Sequence, residues 1–423
     1  MELPSTSPPQ LDPQLLTAEP IVCFAGEDWW YHNPHSNKHL MQAFARNGNR
    51  VLFVNSTGVR APNLFSDRFA WKRVARKLIS MLIFMRRAEP GLHVLTPIAL
   101  PVTRRLRRLV VRANQLMVTA QVRLFCALLG ISRPIVWIAT PAAAAVAIAL
   151  RRKWAKLLVY YCVDNISFYN GADTPFIQAL DSQLQSRADL VLFSGRRLFE
   201  ERMHQRPDIH LLTHGVDFEH FARAQSLTTP IPKDLRQLPQ PIVAYIGAIT
   251  GLDVQLIAHV AHCQPHVSFV FIGKVQMDVS SLTAFGNVHF LGKKDYQVLP
   301  DYLQCVCCCL ICYRRGDLFN DYRSPKKLLE YLATGRPLVA LQLAELDAFA
   351  PLVYQAADQQ EFDRQLRRAL AEDDAELRRL RIEVARARDW RVVAAEASQH
   401  INRHLRSGDD KVVAANQVLQ SLP

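Results

Sequence analysis

Short runs of apolar residues recur along this chain, each followed by a polar loop and a helix-like stretch. That rhythm constrains the fold more than any other feature, because it is the pattern of strand, helix and strand in a parallel sheet. IVCFAG at 21–26 and VLFVNS at 51–56 open the series. PIVWIAT at 134–140, KLLVYYCVD at 156–164, ADLVLFSG at 188–195 and HLLTHGVD at 210–217 continue it. Residues 222–240 interrupt it with a polar stretch carrying Pro230, Pro232 and Pro239, the composition of an interdomain linker. The rhythm resumes with PIVAYIGAI at 241–249, VSFVFIG at 267–273, NVHFLG at 287–292, QCVCCCLICY at 304–313, PLVAL at 337–341 and LVYQA at 352–356. Runs that are apolar throughout suit strands covered by helices on both faces. The sequence therefore predicts an α/β chain of two doubly wound sheet domains with a crevice between them, where ligands bind at the carboxyl ends of the strands.

A length of 423 residues, 49% of them hydrophobic, is enough for two such domains. The expected division is a disordered leader over 1–20, a first domain over 21–220, a linker over 221–240, a second domain over 241–390, and a C-terminal helix and tail over 391–423. The leader is rich in Pro, Ser and Thr and has neither the charged start nor the apolar core of a signal peptide. Residues after Ser407 read as a frayed tail. The apolar stretch 134–150 is shorter than the ~20 residues needed to cross a bilayer and is broken by Pro141, so no transmembrane helix is expected. Cys305, Cys307, Cys308, Cys309 and Cys312 crowd into one apolar run. They read as a buried strand in a reducing, cytoplasmic setting rather than a disulfide framework.

A formal net charge of +13 makes the surface attractive to phosphates. No recognition motif, aromatic platform or zinc finger supports a nucleic-acid partner. In RFAWKRVARKLISMLIFMRR, residues 68–87, Trp71, Val74, Leu78, Met81, Leu82 and Met85 fall near one helical face, while Arg68, Lys72, Arg73, Arg76 and Lys77 crowd the first half. Arg104, Arg105, Arg107, Arg108 and Arg112 form a second basic stretch. Both read either as helices lying on an anionic membrane surface, which would make the protein peripheral at the inner face of the cell membrane, or as ordinary surface helices.

The most informative segment is RSPKKLLEYLATGRP, residues 323–337. Ser324 is a favoured N-cap, Pro325 a favoured first helical residue and Gly335 a stop. A helix N-terminus offers unpaired backbone N–H groups and partial positive charge, and Lys326 and Lys327 stand at the same end, so a diphosphate would be well held there. Glu330, three residues after Lys327, shares its face and can accept hydrogen bonds from two sugar hydroxyls. The same residues read equally as a capped helix with a Lys327–Glu330 surface pair worth ~0.2–0.5 kcal/mol. Asp164 ends a strand of the first domain, where its carboxylate can face the crevice and orient or deprotonate a hydroxyl, or can cap a turn. Asp28 and His35 follow the first strand.

The pattern SPxKxxEYLAxGxP after an apolar strand resembles the donor-nucleotide site of GT-B glycosyltransferases. It is most similar to bacterial family 4 members of the teichuronic-acid and exopolysaccharide biosynthesis type. VCFAGEDWW at 22–30, VYYCVDN at 159–165, ADLVLFSGRRLFEE at 188–201, THGVD at 213–217, YIGAITGLD at 245–253 and FVFIG at 269–273 stand in matching order. The resemblance implies a GT-B fold of two Rossmann-like domains, with a nucleotide-diphosphate sugar on the second and a glycan or lipid-linked acceptor on the first. It also implies a retaining transfer in cell-surface polysaccharide synthesis. Glu330 would bind the ribose and Lys327 the diphosphate, with Ser324, Arg323 and Lys274 on the donor side. Gly247 and Gly251 would let backbone amides approach the diphosphate, although a plain strand-to-helix turn explains them equally. Lys274 reads equally as a solvated loop residue. Asp28 and His35 would be acceptor-side residues. No D-x-D ends a strand, so a metal-independent reaction without a cofactor is expected. Tyr322 occupies the position of the family's first glutamate. That departure leaves open a non-enzymatic binding module, and a nucleotide-sugar epimerase, which shares the donor site, is the alternative enzyme.

Overall fold

A computed structural model describes residues 11–56, 84–100, 107–163, 174–226 and 229–420. The chain divides into two compact units: Met1–Ser194 with Glu201–Leu212 and Val393–Pro423, and Gly195–Glu200 with Thr213–Val392. Among the described residues no helix is long and apolar enough to cross a membrane.

The first unit is built on an eight-stranded sheet. Its strands are β1 (Pro20–Phe24), β2 (Arg50–Val54), β3 (Met85–Glu89), β4 (Leu92–Leu95), β5 (Ile135–Ile138), β6 (Leu157–Cys162), β7 (Leu190–Phe193) and β8 (Ile209–Leu211), in the order β3-β4-β2-β1-β5-β6-β7-β8. Every pairing is parallel except that of β3 with β4. All six apolar runs of this half become strands, and the central ones are buried along their whole length. The β3–β4 hairpin was not expected, because MRRAE shows no apolar alternation. It is an edge strand turned back at Pro90 and Gly91, where polar residues meet solvent at no cost. Met85, Arg86 and Arg87, expected at the end of an amphipathic helix, lie instead in β3. Most of that expected helix, Arg104 and Arg105 fall outside the described residues.

The second unit carries six parallel strands, β9 (Ile242–Ile246), β10 (Ser268–Ile272), β11 (Val288–Gly292), β12 (Cys308–Ile311), β13 (Leu338–Leu341) and β14 (Tyr354–Ala356), ordered β11-β10-β9-β12-β13-β14. Counted within the unit this is 3-2-1-4-5-6, the doubly wound order whose direction reverses between β9 and β12. β9, β10, β12 and β13 are buried at every position, as a sheet with helices on both faces requires.

Four boundary expectations are corrected. Residues 11–19 are not a loose leader: Leu15 and Leu16 are buried. The Asn47 side chain donates to the carbonyls of Asp12 and Leu16, and the Leu16 N–H donates to Ser398. The polar stretch after residue 221 is packed into the second unit, with Leu235 buried and Asp234 paired with Lys294 at 2.6 Å. The cysteine run is only partly strand. Cys308, Cys309 and Cys312 are buried in or beside β12, whereas Cys305 is half-buried and Cys307 exposed before it. The last helix runs from Trp390 to Gln420 instead of fraying after Ser407.

Candidate functional site

The reversal between β9 and β12 brings the sequence-marked residues of the second unit together. β9 ends at Ile246, and Gly247 follows it with φ +144°. β12 ends at Ile311 and leads through Cys312 to Tyr313. The helix Lys327–Leu332 is pinned to the end of β9 by Tyr331. Its buried hydroxyl accepts from the Ile246 N–H at 2.7 Å and donates to the Ile246 carbonyl at 3.3 Å. Gly335, with φ +75°, ends the turn after this helix as expected. The start differs from expectation. The helix begins at Lys327, its N-cap is Lys326 with no side-chain cap, and Ser324 and Pro325 lie in the preceding loop. A helix of six residues has a weak dipole, so positive charge at this site comes chiefly from side chains.

Lys327 supplies it. The residue is 9% exposed, and its Nζ sits 3.6 Å from the centre of the Tyr245 ring and 5.1 Å from that of Tyr313. Arg323 lies over the same Tyr313 ring at 4.4 Å and over Phe319 at 5.0 Å. Both cations thus rest on aromatic faces, which attract them through the ring quadrupole. Burial pushes the Lys327 ammonium below its ordinary range and nearby Arg323 pushes it further, against the opposing pull of Tyr313 and Glu330. Burial would raise the Tyr313 phenol, but Arg323 and Lys327 together hold it below its usual value. Two cations that repel one another in a desolvated place form a receptor for an anion, which would relieve both costs at once.

Gly247 acts differently from the expectation that it frees its amide for a ligand. The Gly247 N–H donates to the Ile272 carbonyl at 2.8 Å. What Gly247 provides is space, since a Cβ there would lie 2.6 Å from Lys327 Nζ. Gly251 packs on Asn320 in the same way, at 2.9 Å, and Asn320 donates to the Gly251 carbonyl at 2.8 Å. Lys274 joins this loop through its carbonyl, which accepts from the Ile249 N–H at 3.0 Å, while the residue itself is exposed.

Glu330 pairs with Lys326 at 3.7 Å. The surface pair on this helix is therefore i,i+4 from Lys326, not i,i+3 from Lys327, which leaves Lys327 directed inward. Tyr322 carries the Arg197 guanidinium 4.2 Å from its ring centre.

Sequence reasoning passed over Tyr245, Tyr313 and His214. The tyrosines look like ordinary core residues at strand ends, and only the parallel pairing shows that they share one place. His214 is 8% exposed. Burial, with Lys326 and Arg388 adding to it, pushes its pKa from 6.5 down to about 3. A histidine buried neutral stabilises the fold above 6.5, and that stability is lost as the pH falls from 6.5 towards the folded value. Between pH 7 and pH 4.5 this one group should remove on the order of 2 kcal/mol of stability. His214→Gln should lose correspondingly less over the same range in urea titrations; an equal loss would show that His214 does not titrate this way.

In the first unit, Asp28 lies in a turn. Its Oδ1 accepts from the Trp30 N–H at 2.9 Å, and its own N–H donates to His32 at 2.9 Å. His35 precedes the helix Ser36–Arg46, with its imidazole 3.9 Å from the buried Glu27. Glu27, at the end of the first strand's loop, is a carboxylate the sequence reading did not single out. Asp164 lies outside the described residues. Among the described residues no cluster of three or more His, Cys, Asp or Glu side chains is placed to hold a metal ion.

No family model matches the chain. Over 228 residues it is 25% identical to TuaH of Bacillus subtilis (strain 168), whose name assigns it to teichuronic acid biosynthesis as a glycosyltransferase. That match spans 51% of this chain and 57% of the relative. The fold is similar to that of sucrose-phosphate synthase from Thermosynechococcus elongatus, with a TM-score of 0.66, 17% identity, and coverage of 92% of this chain and 99% of that one. HepE of Anabaena, solved with UDP-glucose, matches at TM-score 0.62 and 13% identity over 91% of this chain and 99% of that one. The catalytic domain of starch synthase IV from Arabidopsis thaliana, bound to ADP and acarbose, matches at 0.62 and 13% over 92% of this chain and the whole of that one. The chain has the GT-B fold.

Proposed function

We propose that this GT-B chain is a glycosyltransferase that takes its sugar from a nucleotide diphosphate. The observation that carries the proposal is the pair of buried Lys327 and half-buried Arg323, held on the faces of Tyr245 and Tyr313 at the β9–β12 reversal. The diphosphate would lie against these two cations, and Glu330, paired with Lys326 on the same helix, would accept from the ribose hydroxyls. As the glycosidic bond to the diphosphate breaks, charge grows on the leaving oxygen. Donors already fixed in a water-poor place stabilise that charge without having to reorganise. The transfer is read as metal-independent and cofactor-free, with Lys327 and Arg323 meeting the charge on the leaving diphosphate. Retention of configuration follows the family resemblance.

The name of the Bacillus relative supports a glycan or lipid-linked acceptor in cell-surface polysaccharide synthesis at the cytoplasmic face. Asp164, with His35 and Asp28, would serve the acceptor side. The test is calorimetry with a panel of nucleoside diphosphates and with pyrophosphate. One base should be preferred. Glu330→Ala should weaken that nucleotide about tenfold, the worth of a hydrogen bond to a charged group, and leave pyrophosphate unchanged. Well-folded protein that binds no nucleotide in the panel would overturn the proposal. Product analysis with the preferred donor should then show the sugar moved to an acceptor; a changed sugar still on its nucleotide would mean epimerisation.

A further inference from the structure

The first unit carries an exposed apolar face for which the donor site has no use. The helix Arg107–Leu128 packs against the helix Ala144–Lys153. On its outward arc Leu109, Leu116, Leu124 and Leu128 are 66%, 72%, 58% and 68% exposed. Nineteen residues at ~1.5 Å each spread these leucines over about 28 Å. At about 100° per residue Leu109 and Leu116 lie about 20° apart, and Leu124 and Leu128 stand about 60° and 100° from Leu109, so the four share one half of the helix surface. Large exposed side chains gathered on one face mark an interaction surface, whereas scattered ones do not.

Beside this face the two helices enclose a groove of about 510 Å³ whose lining includes Leu116, Thr119, Arg123, Arg152, Lys153 and Trp154. Arg123, Arg152 and Lys153 are exposed, and the Arg123 guanidinium stands 5.8 Å from the centre of the Trp154 ring. The Thr119 hydroxyl is buried with no hydrogen-bond partner among the described residues. Arg112 adds an exposed cation on the leucine side. Arg152 and Lys153 also suit the C-terminal end of their helix, but that role does not account for the leucines or the groove.

We propose that this face docks on an anionic phospholipid bilayer, with the leucines entering the interface and the groove taking lipid phosphates. Apolar side chains rimmed by cations are what such a surface selects, each cation contributing ~1 kcal/mol near an anionic leaflet. A second copy of the chain fits poorly, because symmetric packing through this face would bring Arg112, Arg123, Arg152 and Lys153 against their own copies. The inference is independent of the donor-site proposal, since the face belongs to the other unit.

The experiment is flotation of the full chain with vesicles of phosphatidylcholine alone and of phosphatidylcholine mixed with phosphatidylglycerol, at low and high salt. Binding is expected only to the anionic vesicles and should weaken with salt. The double variants Leu116→Glu with Leu124→Glu, and Arg123→Glu with Lys153→Glu, should each lower partitioning about tenfold or more. Melting temperature and nucleotide binding should not change. Variants that float like the wild type, wild type that fails to bind anionic vesicles at low salt, equal binding to neutral vesicles, or a solution dimer that Leu116→Glu dissociates would each overturn it.

Discussion

Lys327→Met is expected to raise the dissociation constant for the preferred nucleoside diphosphate about a hundredfold, or about 2.7 kcal/mol, while leaving the protein as stable as before or slightly more so. The two effects have one cause. Lys327 is a buried cation whose charged form is opposed by desolvation and by Arg323 and only partly favoured by Tyr313 and Glu330, so in the free protein it costs stability that a bound anion returns. A methionine of similar length keeps the packing on Tyr245 and removes the charge. Affinity should also depend on pH. The Lys327 pKa is lowered in the free protein, and a bound diphosphate favours the charged form. Affinity therefore falls as the pH rises through the lowered value, where binding takes up a proton. Calorimetry in buffers of different ionisation enthalpy measures that uptake. Unchanged nucleotide affinity in Lys327→Met would remove this residue from the site.

Gly273→Ala is expected to cost about 3 kcal/mol or more of stability, enough to lower the melting temperature by several degrees. A Cβ at this position would lie 1.8 Å from the Gly247 carbonyl oxygen and 2.7 Å from its carbon. Neither strand end can retreat, because the Gly247 N–H bonds the Ile272 carbonyl at 2.8 Å and the Gly273 N–H bonds the Gly292 carbonyl at 2.9 Å. Gly286, which has nothing within 4 Å of its Cβ position, supplies the control, and Gly286→Ala should change stability by no more than about 0.5 kcal/mol. Equal melting of the two variants would show that the β9 and β10 ends separate more easily than their hydrogen bonds indicate.

Most of the twelve apolar runs were legible as strands because a strand buried on both faces must be apolar at nearly every position, and their shortness separates them from buried helices. The β3–β4 hairpin was not, since an edge strand such as Met85–Glu89 need not satisfy any burial pattern. The site was legible in part. Lys327 and Glu330 could be named from their spacing, yet Lys326 and Lys327 are interchangeable on paper.

Only the tertiary structure chose between them. Tyr331, bonded to Ile246, fixes the rotation of the short helix, so that Lys327 enters the space left by Gly247 and Lys326 turns out to Glu330. The same step revealed Tyr245 and Tyr313, whose sequence positions are separated by the whole β9–β12 crossover. The sequence by itself determined two parallel-sheet halves, because burial is a property of each segment. Which charged side chain is desolvated, and against which rings, depends on the register between distant segments, and local composition carries no information about that.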